Sequence, residues 1–68
     1  PDAQTNATLL YNLACYYALQ GDKPRMLRHI SAAVRLGKPA GQFRNDGDFA
    51  RYLDDPEFEA AVLAAQHR

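Results

Sequence analysis

The sequence lacks the features that would allow an internal disulfide or a membrane-spanning helix. It has one cysteine, which excludes an internal disulfide, and no apolar run near the roughly 20 residues that cross a bilayer. Neither sign of charge is in excess, because eight basic and eight acidic side chains balance. That balance argues against nucleic acid as a partner, since domains that bind nucleic acid carry a basic surface.

The 68 residues are enough for one small domain. A domain of this size buries only about 60% of the surface of its unfolded chain, so its core is small. Residues 1–4 show neither the basic nor the apolar part of a signal peptide, and together with the single cysteine they predict a cytoplasmic protein. The first residue is not methionine, so we expect a fragment of a longer chain.

The balanced charge is unevenly distributed along the chain. Residues 22–44 hold six basic side chains and one acidic one, whereas residues 45–59 hold six acidic side chains and one basic one. Two interpretations remain open: two faces that attract each other within the domain, or a dipolar surface that steers a charged partner. Exposed ion pairs contribute only about 0–1 kcal/mol each, which favours the first interpretation.

Apolar residues at helical spacing predict two helices in the first half of the chain. Between them, Gly21 can adopt the left-handed conformation that ends a helix, and Asp22 can cap the next one. Two helices joined by so short a turn run antiparallel and pack side by side. The first apolar stripe is Leu10, Leu13, Ala14 and Tyr17, and the second is Met26, Ile30, Ala33 and Val34.

Polar residues and prolines predict the outer ends of these two helices. Thr5 or Asn6 is expected to cap the first helix, because either side chain can accept from its free amides. Pro24 suits the first turn of the second helix, where its missing amide proton does no harm. Gly37 and Pro39 mark the end of that helix.

The second half of the chain predicts a loop at residues 40–45 and two further helices. Asp46 or Asp48 is expected to cap the third helix, which stops before Pro56, and Asp55 to cap the fourth. No segment alternates apolar and polar residues as a strand does. The sequence therefore predicts one all-α domain over residues 1–68: an antiparallel helix-turn-helix hairpin at 1–39, a loop at 40–45, and a capping helix pair at 46–68. The apolar residues of the pair are Phe49, Tyr52 and Leu53, followed by Phe58, Ala61, Val62 and Ala65.

Residues 7–39 resemble a tetratricopeptide repeat (TPR), a 34-residue helix–turn–helix motif. Residues 11–14, Tyr-Asn-Leu-Ala, are similar to the Tyr-Asn-Leu-Gly that is common in the family. Met26 departs from the pattern, since the family prefers alanine there, and the resemblance then implies wider helix packing. The other matching positions are Leu10, Tyr17, Gly21, Ile30, Ala33, Val34 and Pro39.

Residues 46–64 resemble the segment that often closes such arrays in bacterial proteins. The matching letters are Asp-Phe at residues 48–49 and Leu-Asp-Asp-Pro-Glu-Phe at residues 53–58. A terminal unit has to cover one open end of the stack and present a polar outer face. The resemblance therefore implies the C-terminal end of a repeat scaffold.

The sequence shows no constellation of reactive residues. Cys15 and His29 come roughly level in an antiparallel hairpin, but no third residue is placed to orient the histidine. One cysteine and two separated histidines do not have the spacing of metal ligands, and no glycine-rich phosphate-binding motif is present. We therefore expect no enzyme activity, catalytic residue, metal, cofactor or small-molecule substrate.

The resemblance implies a partner-binding groove on the inner face of the first helix. The groove lacks the lysine and arginine with which some family members hold a peptide carboxylate, so an apolar peptide or the preceding repeat is expected there. Tyr11 and Tyr16 could anchor a partner through rigid rings with polar tips, or Tyr16 and Tyr17 could simply pack between helices. The groove residues are Thr8, Tyr11, Asn12, Cys15, Ala18 and Leu19.

The sequence thus predicts a protein–protein interaction module, the terminal TPR-like unit of a larger scaffold. Its expected partner is a protein or peptide, including a second copy of the chain, with no nucleic acid and no membrane. The alternative is a regulatory or recruiting tail of a multidomain enzyme whose active site lies in other sequence.

Overall fold

A computed structural model describes residues 6–64 of the chain. This range contains helices and no strand, which confirms the all-α prediction. The elements are α1 (Ala7–Gln20), α2 (Lys23–Arg35), α3 (Ala40–Arg44), a 3-10 helix (Gly47–Tyr52) and α4 (Pro56–Val62). None of these described helices is long and apolar enough to span a membrane.

The turn between α1 and α2 forms as the sequence predicts. The Asn6 side chain caps α1 by accepting a hydrogen bond from the Leu9 amide, whereas Thr5, the other expected cap, lies outside the described residues. Gly21 ends α1 with a φ of 77°, in the left-handed region. Asp22 then caps α2 by accepting from the Arg25 amide.

The α1–α2 hairpin packs on one face of each helix. The stripe predicted for α2 is buried in full, but Leu13 of α1 does not join the core, and Ala18 is buried in its place. The prediction for Leu13 is wrong because α1 is apolar on most of its surface, so spacing alone does not select the buried side. The buried residues are Leu10, Ala14 and Ala18 of α1 with Met26, Ile30, Ala33 and Val34 of α2.

Residues 40–44, which the sequence predicts as part of a loop, form the short helix α3. Phe43 is fully buried and packs against Tyr11 and Phe49, with ring centroids 4.9 and 5.4 Å apart. Burial of this ring outweighs the low helix propensity of Gly41, which favoured a loop. The loop prediction is therefore wrong for most of its length.

The third predicted helix is present as a 3-10 helix and is shorter than expected. Asp46 caps it, with its side chain accepting from the Asp48 amide at 2.9 Å. Phe49 and Tyr52 are buried as predicted. Leu53, which was expected beside them, follows the helix and is 43% exposed.

The last helix, α4, begins as predicted and packs against α2. Asp55 caps it by accepting from the Glu57 amide at 2.8 Å, and its buried residues are Phe58, Ala61 and Val62. The fourth member of the predicted stripe, Ala65, lies outside the described residues. Lys23 pairs with the carboxylates of Asp55 at 2.6 Å and Glu57 at 2.7 Å. The two helices therefore begin at the same end of the molecule.

Candidate interaction site

The six residues predicted to line a groove do not form one open surface. Ala18 is 1% exposed and belongs to the core. Tyr11 and Cys15 are half-buried, because the 3-10 helix packs against this side of α1. The remaining three, Thr8, Asn12 and Leu19, are exposed on the solvent side of α1.

Tyr11 holds the second half of the chain against α1. Its hydroxyl donates a hydrogen bond to the Asp46 carboxylate, and its ring packs against both Phe43 and Phe49. The Lys38 ammonium lies 5.4 Å from the centroid of the same ring, within range of a cation–π interaction. Burial and the hydrogen bond to Asp46 both raise the pKa of the Tyr11 hydroxyl. This side of the predicted groove is therefore occupied by the chain itself.

Cys15, Asp46 and Asp48 form a cluster whose potential ligand atoms lie within 4.8 Å of one another. Each carboxylate oxygen of Asp46 already accepts a hydrogen bond, one from the Tyr11 hydroxyl and one from the Asp48 amide. Burial, followed by the charges of the two aspartates, raises the pKa of the Cys15 thiol to about 11. A thiol with that pKa is protonated at neutral pH, so it lacks the thiolate character of an activated nucleophile.

The structure does not bring Cys15 and His29 together. The Cys15 sulfur meets the Asp46 carboxylate at 3.8 Å. His29 instead places Nδ1 2.7 Å from the Arg25 carbonyl oxygen, and its ring lies 5.2 Å from that of Tyr17. The two side chains therefore have separate structural partners.

The exposed side of α1 carries an apolar surface that the groove prediction largely missed. Leu9, Tyr16 and Leu19 are 40%, 54% and 63% exposed, and no residue of this 14-residue helix is charged. Spacings of three and four residues place these side chains on one face, opposite the Ala14 side. We call this surface the outer face of α1, and define it as Leu9, Asn12, Leu13, Tyr16 and Leu19.

Tyr16 is held in place on the outer face by its neighbour. Its ring packs edge-on against Tyr17 at 5.2 Å, and Tyr17 in turn packs against His29 of α2. An exposed aromatic ring that is already fixed loses little conformational entropy when a partner covers it. Tyr16, one of the two tyrosines proposed as anchors from the sequence, is therefore the better placed.

A signal for this face is present in the sequence. Leu9, Leu13 and Tyr16 follow the spacing i, i+4, i+7, and residues 7–20 contain no charge. A helix that is apolar on all sides is usually buried on all sides. The absence of charge, more than any motif, indicates in the sequence that α1 is apolar on both faces.

Comparison with protein-family models, with curated proteins and with solved structures returned no match to this chain.

Proposed function

We propose that this chain is an interaction module, the end unit of a helical-repeat scaffold, and that the outer face of α1 packs against the neighbouring helical hairpin of that scaffold. The observation that supports the proposal is an uncharged helix with one face in the core and three large apolar side chains exposed on the other. A helix of this composition is stabilised when both faces are covered.

The occupant that suits this face is an apolar helix. The face runs from Leu9 to Leu19, which corresponds to about 15 Å along α1 at a rise of 1.5 Å per residue. It offers no charge for a charged partner to pair with, and burying an unpaired charge is costly. Asn12 can still donate and accept hydrogen bonds at its centre.

A neighbour in the same polypeptide suits the face better than a separate protein. Three exposed side chains supply only part of the roughly 800 Å² per partner that a standard interface buries. A tethered neighbour is present at an effective concentration of the order of millimolar, so a small interface is sufficient.

The rest of the surface supports an end unit. Outside the outer face of α1, the 3-10 helix, the segment after it and the start of α4 expose charged side chains, including Arg51, Asp54 and Glu57. The last unit of a repeat array needs such a polar surface on its outer side and an apolar surface toward its neighbour.

Site-specific photo-crosslinking tests the proposal. A photoreactive amino acid replaces Leu19 on the outer face or, as a control, the exposed Arg51, in the protein as its own cells produce it. We expect crosslinks from position 19 to an apolar helical segment of the same polypeptide, and none of these from position 51. Equal crosslinking at the two positions, or crosslinks only to a second copy or to another protein, would contradict the proposal.

A pair of leucine variants separates docking from stability. Leu19→Lys places a charge on the outer face, whereas Leu53→Lys makes the same change at an exposed leucine outside it. In these variants the photoreactive amino acid replaces Tyr16. We expect Leu19→Lys to abolish its crosslink to the neighbouring apolar helix, and Leu53→Lys to leave that crosslink intact. Far-ultraviolet circular dichroism checks that both variants remain folded.

A further inference from the structure

A second surface lies between α2 and α4 and involves no residue of α1. It is an open groove of about 390 Å³. Its floor and walls are uncharged, whereas each end carries one charged side chain. The groove is lined by Leu27, Ser31 and Arg35 of α2, with Glu57, Ala60, Ala61 and Ala64 from α4 and the turn that follows it.

The two charged residues lie at opposite ends of this groove. Glu57 is next to Lys23 at the start of α2, and Arg35 is the last residue of that helix. Arg35 lies twelve positions after Lys23 in the helix, which corresponds to about 18 Å along the axis. The groove therefore has an acidic end and a basic end.

Both charged groups are accessible to a partner. Within residues 6–64, Arg35 takes part in no ion pair. Glu57 contacts Lys23 through one carboxylate oxygen, and its side chain is still 69% exposed. Its other oxygen can accept from a second cation.

We propose that this groove is where two copies of the chain associate about a two-fold axis. A two-fold axis perpendicular to the groove places the two grooves antiparallel, so that Arg35 of each copy faces the partner copy's Glu57. A surface with one positive end and one negative end is complementary to itself in this arrangement, as a two-fold interface requires. The small side chains of Ala60 and Ala64 allow the two α4 helices to approach closely.

The proposed association is weak. The groove is too small for an interface of standard size, and interfaces below about 1,200 Å² in total belong to transient complexes. We expect a dissociation constant of the order of 0.1–1 mM, which sedimentation velocity and light scattering can detect at high protein concentration. This surface is separate from the outer face of α1, so the inference does not depend on the proposed function.

Charge reversal tests the inference. Arg35→Glu places two acidic residues opposite each other at both ends of the dimer, and we expect the dissociation constant to rise at least about tenfold. The matched control is Arg51→Glu, which makes the same change at an exposed arginine outside the groove, and it should leave the constant unchanged. Arg35 has no ion-pair partner in the described part of the chain, so its replacement should not unfold the domain.

Mixing two variants supplies the decisive measurement. Glu57→Lys should also weaken self-association, but a mixture of Arg35→Glu with Glu57→Lys restores both charge pairs and should form a heterodimer. If Glu57→Lys is unfolded by circular dichroism, Ala60→Arg, which blocks the groove, replaces it as a second variant expected to be monomeric. A wild-type chain that stays monomeric at about 1 mM, or a dimer insensitive to Arg35→Glu, would overturn the inference. A dimer that Leu19→Lys abolishes and Arg35→Glu does not would assign self-association to α1 instead.

Discussion

The Asp46 carboxylate accepts hydrogen bonds from three groups: the Tyr11 hydroxyl, the Cys15 thiol and the Asp48 amide. The first two belong to α1 and the third to the 3-10 helix, so one side chain joins the halves of the molecule. These hydrogen bonds, led by that from Tyr11, lower the pKa of Asp46. Asp46 is therefore ionised at neutral pH, and its bonds are of the stronger, charge-assisted kind.

Tyr11→Phe tests how much this connection stabilises the fold. The variant keeps the ring contacts with Phe43 and Phe49 and removes only the hydroxyl that donates to Asp46. We expect the free energy of unfolding in urea to fall by about 1.5–3 kcal/mol, the usual contribution of a hydrogen bond to a charged group. Tyr17→Phe is the matched control, since Tyr17 contacts its neighbours through its ring. An equal loss in both variants would contradict the role assigned to Asp46.

The Cys15 thiol should ionise at a higher pH in the folded protein than in the unfolded chain. Burial, followed by repulsion from Asp46 and Asp48, raises its pKa from 9.0 to about 11. Because the folded pKa is the higher one, the thiol favours the folded state below pH 9, and this contribution is lost as the pH rises toward 11. The rate of iodoacetamide alkylation should rise with a midpoint near 11 in the native protein and near 9 in urea. A native midpoint near 9 would show that the thiol is solvated.

At the scale of helices, α1 and α2 differ in what the sequence can predict. The caps Asp22 and Asp55 and the terminating Gly21 follow from local chemistry, and the structure confirms all three. Asn6, one of the two caps expected for α1, also caps its helix. The buried side of α1 does not follow, because it depends on where the 3-10 helix packs. A local signal therefore places the ends of a helix, whereas the choice between two apolar faces requires the tertiary structure.

The same distinction explains why the sequence predicts a loop where α3 forms, and why the predicted groove residues do not form one open surface. Gly41 and Pro39 indicate a loop locally. Phe43 is nevertheless buried in the core, and its burial stabilises the helical turn that contains it. That turn and the 3-10 helix then cover the Tyr11 side of α1. Of the predicted groove, only the residues that face away from this segment remain exposed.

Two glycine variants should change stability in opposite directions. Gly21→Ala forces a side chain into the left-handed region at a φ of 77°, although the added carbon would lie at an ordinary 3.6 Å from Arg51. We expect a loss of about 1–2 kcal/mol from backbone strain alone. Gly41→Ala adds a methyl group in open space within α3 and should stabilise by about 0.5–1 kcal/mol. Urea unfolding of both variants checks the signs, and a stabilising Gly21→Ala would contradict the assigned turn.

At the scale of the whole molecule, the uneven charge distribution is partly satisfied within the fold. Lys23 and Arg44 belong to the basic segment, and both pair with carboxylates of the acidic segment 45–59. The structure thus supports the first interpretation of the sequence for these residues, namely faces that attract each other. Arg35 and the exposed part of Glu57 remain available for the intermolecular role proposed above.

Lys23 lies at an unusual place for a cation, in the first turn of α2, where the helix dipole disfavours positive charge. The hydrogen bonds to Asp55 and Glu57 offset this and raise its pKa to about 12. The same contacts hold the start of α4 beside the start of α2. Since all three groups are near solvent, salt should screen their interaction strongly.

Lys23→Ala should therefore remove much of the salt dependence of stability. We expect the free energy of unfolding of the wild-type chain to fall between ionic strengths of about 0.01 M and about 1 M, where the screening length shrinks from about 30 to 3 Å. Lys23→Ala should be less stable than wild type at low salt and nearly equal to it at high salt. The control is Arg28→Ala, which removes an α2 cation that forms no ion pair within residues 6–64. If Arg28→Ala flattens the salt dependence as much as Lys23→Ala does, the effect comes from overall charge, and the Lys23 contacts do not hold α4 in place.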